Sequence, residues 1–402
     1  MNFLADPVTF ITNFLNTLLL GWGVPENITY IILITLGAAI LAVCSLLWVI
    51  FLIWYERKII SRFQDRLGPN RIGPWGIFQP FADMLKIFTK EYITPQGADI
   101  IPFNLAPVLM VAGVMMVWAV LPFTKTTVGT PLSVGVLYII AVGGLGEIGI
   151  VLAGWGSNNK FSLIAAFRVI AQLVSYELPM VITLLIPVML AGSMGLGEIV
   201  EQQKNMWFIF MAPVGALIFF ITSVAMVGRS PFDLLEADSE LVSGFNIEYS
   251  GLKFGMFYVG EFMHAFTVGL IFSTLFLGGW LGPGAEQFPI LGFGYYWIKT
   301  FFVYFLLVAF RASFPRFRID QMLNFNWKLL TPLALVIVCL TAVINKILPV
   351  DLVLVRTAGL LVLNVVLFFV VLSILQSVYA KRYRPVVAPV PRPVARSDRT
   401  TT

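Results

Sequence analysis

Residues Tyr30 to Lys58 run YIILITLGAAILAVCSLLWVIFLIWYERK. No charged residue stands between Glu26 and Glu56, and then Glu56, Arg57 and Lys58 arrive together. A helix needs about 20 consecutive apolar residues to cross the hydrocarbon of a bilayer. In lipid the backbone groups of such a run must pair within the run, so it is a helix and not an open strand. The same pattern recurs along the chain, giving candidate spans at 30–54, 104–123, 132–154, 169–191, 207–227, 256–281, 295–311, 330–348 and 353–379. With 59% hydrophobic and only 12% charged residues, the expected fold class is all-α: a polytopic membrane protein of about nine transmembrane helices, with interfacial amphipathic helices in its polar breaks. One integral membrane domain is expected over 1–380, followed by a basic, proline-rich, disordered tail over 381–402.

The basic residues orient the bundle. If the polar segments alternate from an outside N-terminus, all but Lys125, Lys204, Lys299, Lys346 and Arg356 of the 26 Lys and Arg fall on the inner side. That is the positive-inside bias, and it places the N-terminus outside and the C-terminus in the cytoplasm. The net charge of +5 then reflects topology and anionic inner-leaflet lipid, and no nucleic-acid partner is needed. The two cysteines, Cys44 and Cys339, lie in apolar spans, and His264 is the single histidine. With no Cys-x-x-Cys, the chain has no ligand set of its own for an iron–sulfur cluster or a zinc ion. No P-loop, nucleotide-binding glycine fingerprint or nucleophile–base pair is found. Residues 1–29 carry no basic segment of the kind a signal peptide has, and residues 8–20 fit a short interfacial helix.

The first long polar segment, 55–103, opens at Tyr55-Glu56-Arg57-Lys58. Ile59, Ile60, Phe63 and Leu67 follow at helical spacing among Arg57, Arg62, Gln64 and Arg66. That pattern predicts an amphipathic helix lying in the interface, stopped by Gly68-Pro69-Asn70. A second helix fits Phe78 to Lys90, with Asp83, Lys86 and Lys90 on one face. A basic loop holding helices to lipid headgroups accounts for most of this, but such a surface gains nothing from Glu56 or Asp83.

The segment 228–255 is acidic, with Asp233, Glu236, Asp238, Glu240 and Glu248 against Arg229 and Lys253. Ser230-Pro231-Phe232-Asp233 reads as a helix start with a Ser cap and Pro in the first turn. Asp233, Glu236 and Glu240 would then share one stripe and release protons in coupled steps. Docking on a basic partner subunit and proton handling both remain open for it. Glu147, within Gly143-Gly144-Leu145-Gly146-Glu147-Ile148-Gly149, Glu177 and Glu261 lie inside or close to spans, where an acid is a functional-site hypothesis. The glycines around Glu147 permit either close helix approach or a local break. Arg316 and Arg318, in the third basic segment (311–328), serve positive-inside charge or pair with the acidic segment. These features fit a membrane subunit that handles protons, a proton- or cation-coupled secondary transporter, or a passive anchor for a soluble complex.

Longer motifs separate these readings. Glu56-Arg57-Lys58, Gln64-Asp65-Arg66-Leu67-Gly68-Pro69-Asn70-Arg71, Gln79-Pro80-Phe81-Ala82-Asp83 and Lys90-Glu91 resemble the first inner loop of the H-subunit family of NADH:quinone oxidoreductase, respiratory complex I. Ser230-Pro231-Phe232-Asp233-Leu234, Glu236, Glu240 to Asn246 and Glu248-Tyr249 resemble that family's acidic loop. Pro315 to Gln321 and Trp327-Lys328 resemble its third. The likeness covers about 30–348. Asp238 stands where Glu is more usual, and Phe262 follows Glu261 where Tyr is common. The resemblance implies a membrane subunit that helps form a quinone chamber and carries no redox cofactor. It implies ubiquinone or menaquinone as substrate, with no metal or nucleotide bound by this chain. Glu56, Arg57, Gln64, Arg66, Asp83, Lys86, Phe232 and Asp233 would line the quinone passage. Glu147, Glu177, Glu236, Asp238, Glu240, Glu248 and Glu261 would carry protons. The implied partners are peripheral-arm iron–sulfur and quinone-site subunits, small membrane subunits and the lipid bilayer, and the implied site is a bacterial inner membrane. A related energy-converting hydrogenase would use a similar second loop without quinone.

Overall fold

A computed structural model describes residues 7–234, 238–348 and 353–382. Its helices in chain order are α1 (Pro7–Gly21), α2 (Glu26–Phe63), α3 (Gln79–Thr89), α4 (Ile100–Trp118), α5 (Gly135–Gly156), α6 (Lys160–Ala191), α7 (Leu196–Gln202) and α8 (Phe208–Met211). Then follow α9 (Pro213–Val227), α10 (Asp238–Leu241), α11 (Gly251–Phe276), α12 (Pro289–Ser313), α13 (Ile319–Phe325), α14 (Thr331–Ile347) and α15 (Val353–Arg382). A π-helical turn, Asn326–Leu330, joins α13 to α14. Glu236 and the tail from 383 onward lie outside the described residues, and of Asp238 only the backbone is described.

The chain is a multi-pass membrane protein. Among the described residues eight helices are long and apolar enough to cross a bilayer. The fifth expected span, 207–227, differs. It is divided into α8 and α9 at Ala212 (φ −136°, ψ 62°), where Pro213 cannot supply an N–H to continue the ladder. The 15 residues of α9 rise about 22 Å, short of the roughly 30 Å of hydrocarbon. The ninth span mends the break. Asn364 of α15 accepts from the Val214 N–H through Oδ1 and donates through Nδ2 to the Met211 carbonyl, both at 3.2 Å. An unpaired backbone group in such a place costs about 1–3 kcal/mol. Asn364→Leu is therefore expected to lower the thermal midpoint of the purified assembly, as read by intrinsic fluorescence. An unchanged midpoint would mean that these two groups find other partners.

A second difference concerns Glu56. The amphipathic helix expected after Tyr55 is not a separate element, because α2 continues unbroken to Phe63. No Gly or Pro occurs between Gly37 and Gly68, so nothing interrupts the hydrogen-bond ladder. The 38 residues of α2 rise about 57 Å, enough to carry its charged end beyond the hydrocarbon. The stop comes where expected. Gly68 has φ +62°, and a Cβ there would stand 2.5 Å from Ser61 Oγ. The second predicted helix is α3.

The packing explains how acids come to lie inside. α11 is the centre of the bundle, and every side chain from Ala265 to Phe276 is buried. It touches α2, α3, α4, α9 and α12. α4 and α5 approach closely along glycines. A Cβ on Gly149 would lie 2.8 Å from the Ala106 carbonyl oxygen, and one on Gly156 would lie 2.8 Å from the Phe103 nitrogen. Of the two uses open for the Gly143–Gly149 run, close approach is the one realised, since α5 runs unbroken through it. That places Glu147 between α4, α6 and α11.

Candidate functional site

The charged ends of α2, α9 and α12 meet at one residue. Glu56 is 1% exposed. Its Oε1 accepts from Nη1 of both Arg229, just past the end of α9, and Arg311, in the last turn of α12. Its Oε2 accepts from the Tyr304 hydroxyl at 2.8 Å. One carboxylate thus serves two guanidiniums. Arg229 is itself largely buried, 4.7 Å above the Phe262 ring. Burial opposes its charge, but Glu56, Tyr304 and Glu261 outweigh that and hold the guanidinium above the ordinary arginine pKa. Arg229 therefore feels an acid on each side, Glu56 toward α2 and Glu261 on α11.

On the next face of α2, Arg57 Nη1 pairs with Asp83 Oδ2 of α3 at 2.5 Å, and Gln79 Nε2 reaches Asp83 Oδ1 at 3.4 Å. This fixes α3 against the end of α2. Gln64, Arg66 and Lys86 are exposed. Phe232 is buried against Phe317 and Phe325.

Among the described residues, the helix that the acidic segment's sequence suggests does not start at Ser230. Residues 231–234 are irregular, and their carbonyls are taken by distant partners instead of a helix ladder. The Phe317 N–H donates to the Pro231 carbonyl at 2.8 Å, and Gln172 Nε2 donates to the Phe232 carbonyl at 3.1 Å. Asp233 pairs with Arg316 at 2.6 Å, Glu240 with Arg168 at 2.5 Å, and Glu248 accepts from Asn159 Nδ2 at 2.7 Å. These acids face separate cations and donors and do not repel one another along one helix. The option of Arg316 pairing across to the acidic segment is realised.

Inside the bundle Glu147 is buried and accepts a hydrogen bond from the Tyr176 hydroxyl of α6. Glu177, half-buried one residue further along α6, acts on Glu147 electrostatically. A cavity of about 40 Å³ is lined by Glu147, Glu261, His264 and Thr267 together with apolar Met110 and Val114. A water-sized probe needs roughly 10–15 Å³, so this space admits water between three titratable side chains. Glu261 is thereby common to the cavity and to the surroundings of Arg229. Together they form a discontinuous set of polar groups running from Glu56 inward.

Several participants carry little sequence signal. Arg229 and Arg311 read as loop charges, and Tyr304 as one of many aromatics. Tyr304 and Arg311 are seven residues apart on α12, hence on one helical face, and that spacing was the available clue. His264 stands one turn beyond Glu261 on α11.

A family profile described as NADH dehydrogenase matches residues 36–342. The H subunit of the NADH-quinone oxidoreductase of Bacteroides thetaiotaomicron is 42% identical over 351 residues, covering 83% of this chain and 96% of the relative. That of Geobacillus kaustophilus is 46% identical over 311 residues, covering 77% and 93%. That of Carboxydothermus hydrogenoformans is 46% identical over 292 residues, covering 73% and 83%. With well over half of its length matched, and at these identities, the chain belongs to the NADH dehydrogenase family that includes the H subunits of NADH-quinone oxidoreductase.

Proposed function

We propose that this chain is the membrane subunit of a proton-translocating NADH:quinone oxidoreductase that forms much of the quinone chamber and the first part of the proton path. The transporter and hydrogenase readings yield to it, since the relatives are named as subunits of the quinone-reducing enzyme. One observation carries the proposal: Arg229 stands between Glu56 at the charged end of α2 and Glu261, which lines the internal cavity with Glu147 and His264.

Electrons come from partner subunits with iron–sulfur clusters, and the quinone, ubiquinone or menaquinone, is the substrate. Its apolar tail needs a slot open to lipid, and its head a polar end. Glu56, Arg57, Gln64, Arg66, Asp83, Lys86, Phe232 and Asp233 border that slot in this reading. The side chains act through charge. Negative charge accumulating near the charged end of α2 draws on the Arg229 and Arg311 guanidiniums and weakens their hold on Glu56. A change at Arg229 is felt by Glu261, which passes a proton through cavity water to Glu147 and on toward Glu177. Glu236, Asp238, Glu240 and Glu248 join the route from the acidic segment. The small membrane subunits would receive the proton path, with the N-terminus outside and the C-terminus in the cytoplasm of a bacterial cell.

A photoreactive quinone analogue applied to the purified complex tests the chamber. Adducts are expected within 56–86 and 228–248, displaced by excess quinone. Adducts confined to partner subunits would remove this chain from the chamber wall.

A further inference from the structure

A groove of about 860 Å³ opens on the outer surface of the bundle between α2, the loop 67–75 and α12. It lies on a different face of α2 from Glu56 and Arg57. Its wall is apolar, with Phe51, Ile59, Phe63 and Phe305, and two cations, Lys58 and Arg62, stand on the same face. The loop is held over the groove from both sides. Trp54 Nε1 donates to the Trp75 carbonyl at 3.1 Å, and Lys58 Nζ donates to the Leu67 carbonyl at 3.4 Å.

The charges make this groove unlike the rest of the apolar surface. Glu56 and Arg57, their neighbours on α2, are engaged in ion pairs on other faces. Among the described residues, neither Lys58 nor Arg62 has a carboxylate within ion-pair distance. They are four residues apart, one turn of helix, with about 6 Å of rise between them. One phosphodiester can be met by both. The apolar stripe from Ile59 back to Phe51 rises about 12 Å toward the membrane interior, which is where acyl chains attached to such a head would run. Basic pockets between membrane helices at the inner leaflet attract anionic headgroups in this manner.

We infer that this groove is a binding site for one anionic glycerophospholipid, its phosphate between Lys58 and Arg62 and its acyl chains along Phe51, Ile59, Phe63 and Phe305. The bound lipid would brace the loop 67–75 against α2 from outside, as Arg57 and Asp83 brace α3 from the neighbouring face. The site does not depend on the route proposed for protons.

The test uses the whole purified complex in zwitterionic nanodiscs. These carry a trace of either phosphatidylglycerol or phosphatidylcholine, each with the same photoactivatable acyl chain. Adducts on residues 51–75 and on Phe305 are counted by mass spectrometry against adducts on α14 and α15. Phosphatidylglycerol is expected to label the groove in excess of phosphatidylcholine, by about fivefold for each cation. The double substitution Lys58→Gln, Arg62→Gln is expected to bring the two lipids level while α14 and α15 label as before. Should that variant fail to assemble, the comparison of the two lipids on the unaltered complex decides alone. Equal labelling by both lipids, or no labelling because a neighbouring subunit covers the groove, overturns the inference. So does displacement by a short-chain quinone, which would make the groove part of the quinone passage. Displacement by inorganic phosphate at matched ionic strength would make it a free-anion site, and overturns the inference as well.

Discussion

Glu56→Gln is expected to abolish most quinone reduction by the complex while leaving electron transfer from NADH to a soluble artificial acceptor unchanged. The amide keeps the shape of the carboxyl group and can still accept the Tyr304 hydroxyl. It removes the single negative charge that Arg229 and Arg311 share. Arg229 is largely buried, and depriving a buried ion of its partner costs about 3–5 kcal/mol. Arg311 is 40% exposed and regains water, so its share of that cost is small. If only half of the lower figure reaches the barrier for quinone reduction, the rate falls about tenfold, since tenfold corresponds to roughly 1.4 kcal/mol. Tyr304→Phe separates charge from hydrogen bonding at the same site. It leaves both ion pairs in place and removes one hydroxyl donor to an ionised group, worth about 1.5–3 kcal/mol at most, so its effect is expected to be the smaller. Rates are read on purified complex with matched subunit content. A Glu56→Gln complex that assembles and reduces quinone at the unaltered rate would leave Glu56 no part in the chamber.

The parts of the molecule that follow from composition were legible in the sequence, and those that depend on distant partners were not. Long uncharged runs give the spans, because hydrocarbon admits little else. The fifth span misled because its mean hydropathy is high on both sides of Pro213, so an apolar average masks a break in the backbone. The continuity of α2 was misread, because a separate interfacial helix was expected after Tyr55 although no Gly or Pro interrupts the run. The change from apolar to amphipathic pattern at Glu56 marks where its surroundings change and not where the helix ends. Ser230-Pro231-Phe232-Asp233 carries strong local signals for a helix start, yet Gln172 and Phe317 take the carbonyls that a helix would use. Single-segment reasoning sees the propensity and not that competitor. Glu56 itself stood out as an acid with no local purpose. Its arginines, on α12 and beyond α9, belong to helices whose adjacency no spacing rule gives.

Glu147→Gln and Glu261→Gln are expected to uncouple the complex, with proton translocation falling to about a tenth or less of its ordinary rate per quinone reduced. The reasoning turns on what each amide retains. At Glu147 it still accepts from the Tyr176 hydroxyl, and its volume matches the acid, so the close glycine contact of α4 with α5 is undisturbed. The residue loses only the ability to take up and release a proton. The cavity beside Glu147, Glu261 and His264 has room for water, through which a proton can move only as far as the next titratable group, and one missing group leaves a gap bounded by apolar Met110 and Val114. A tenfold loss needs no more than about 1.4 kcal/mol added to that transfer. This is modest for a proton left without an acceptor in a space with room for only a few waters. Tyr176→Phe is the structural control, since it takes away the hydrogen bond to Glu147 and leaves the acid, and it is expected to keep most of the pumping. The readout is a membrane-potential dye in sealed vesicles, normalised to quinone turnover. If both Gln variants translocate normally at normal turnover, the internal cavity holds water for packing alone and the proton takes another way through the membrane.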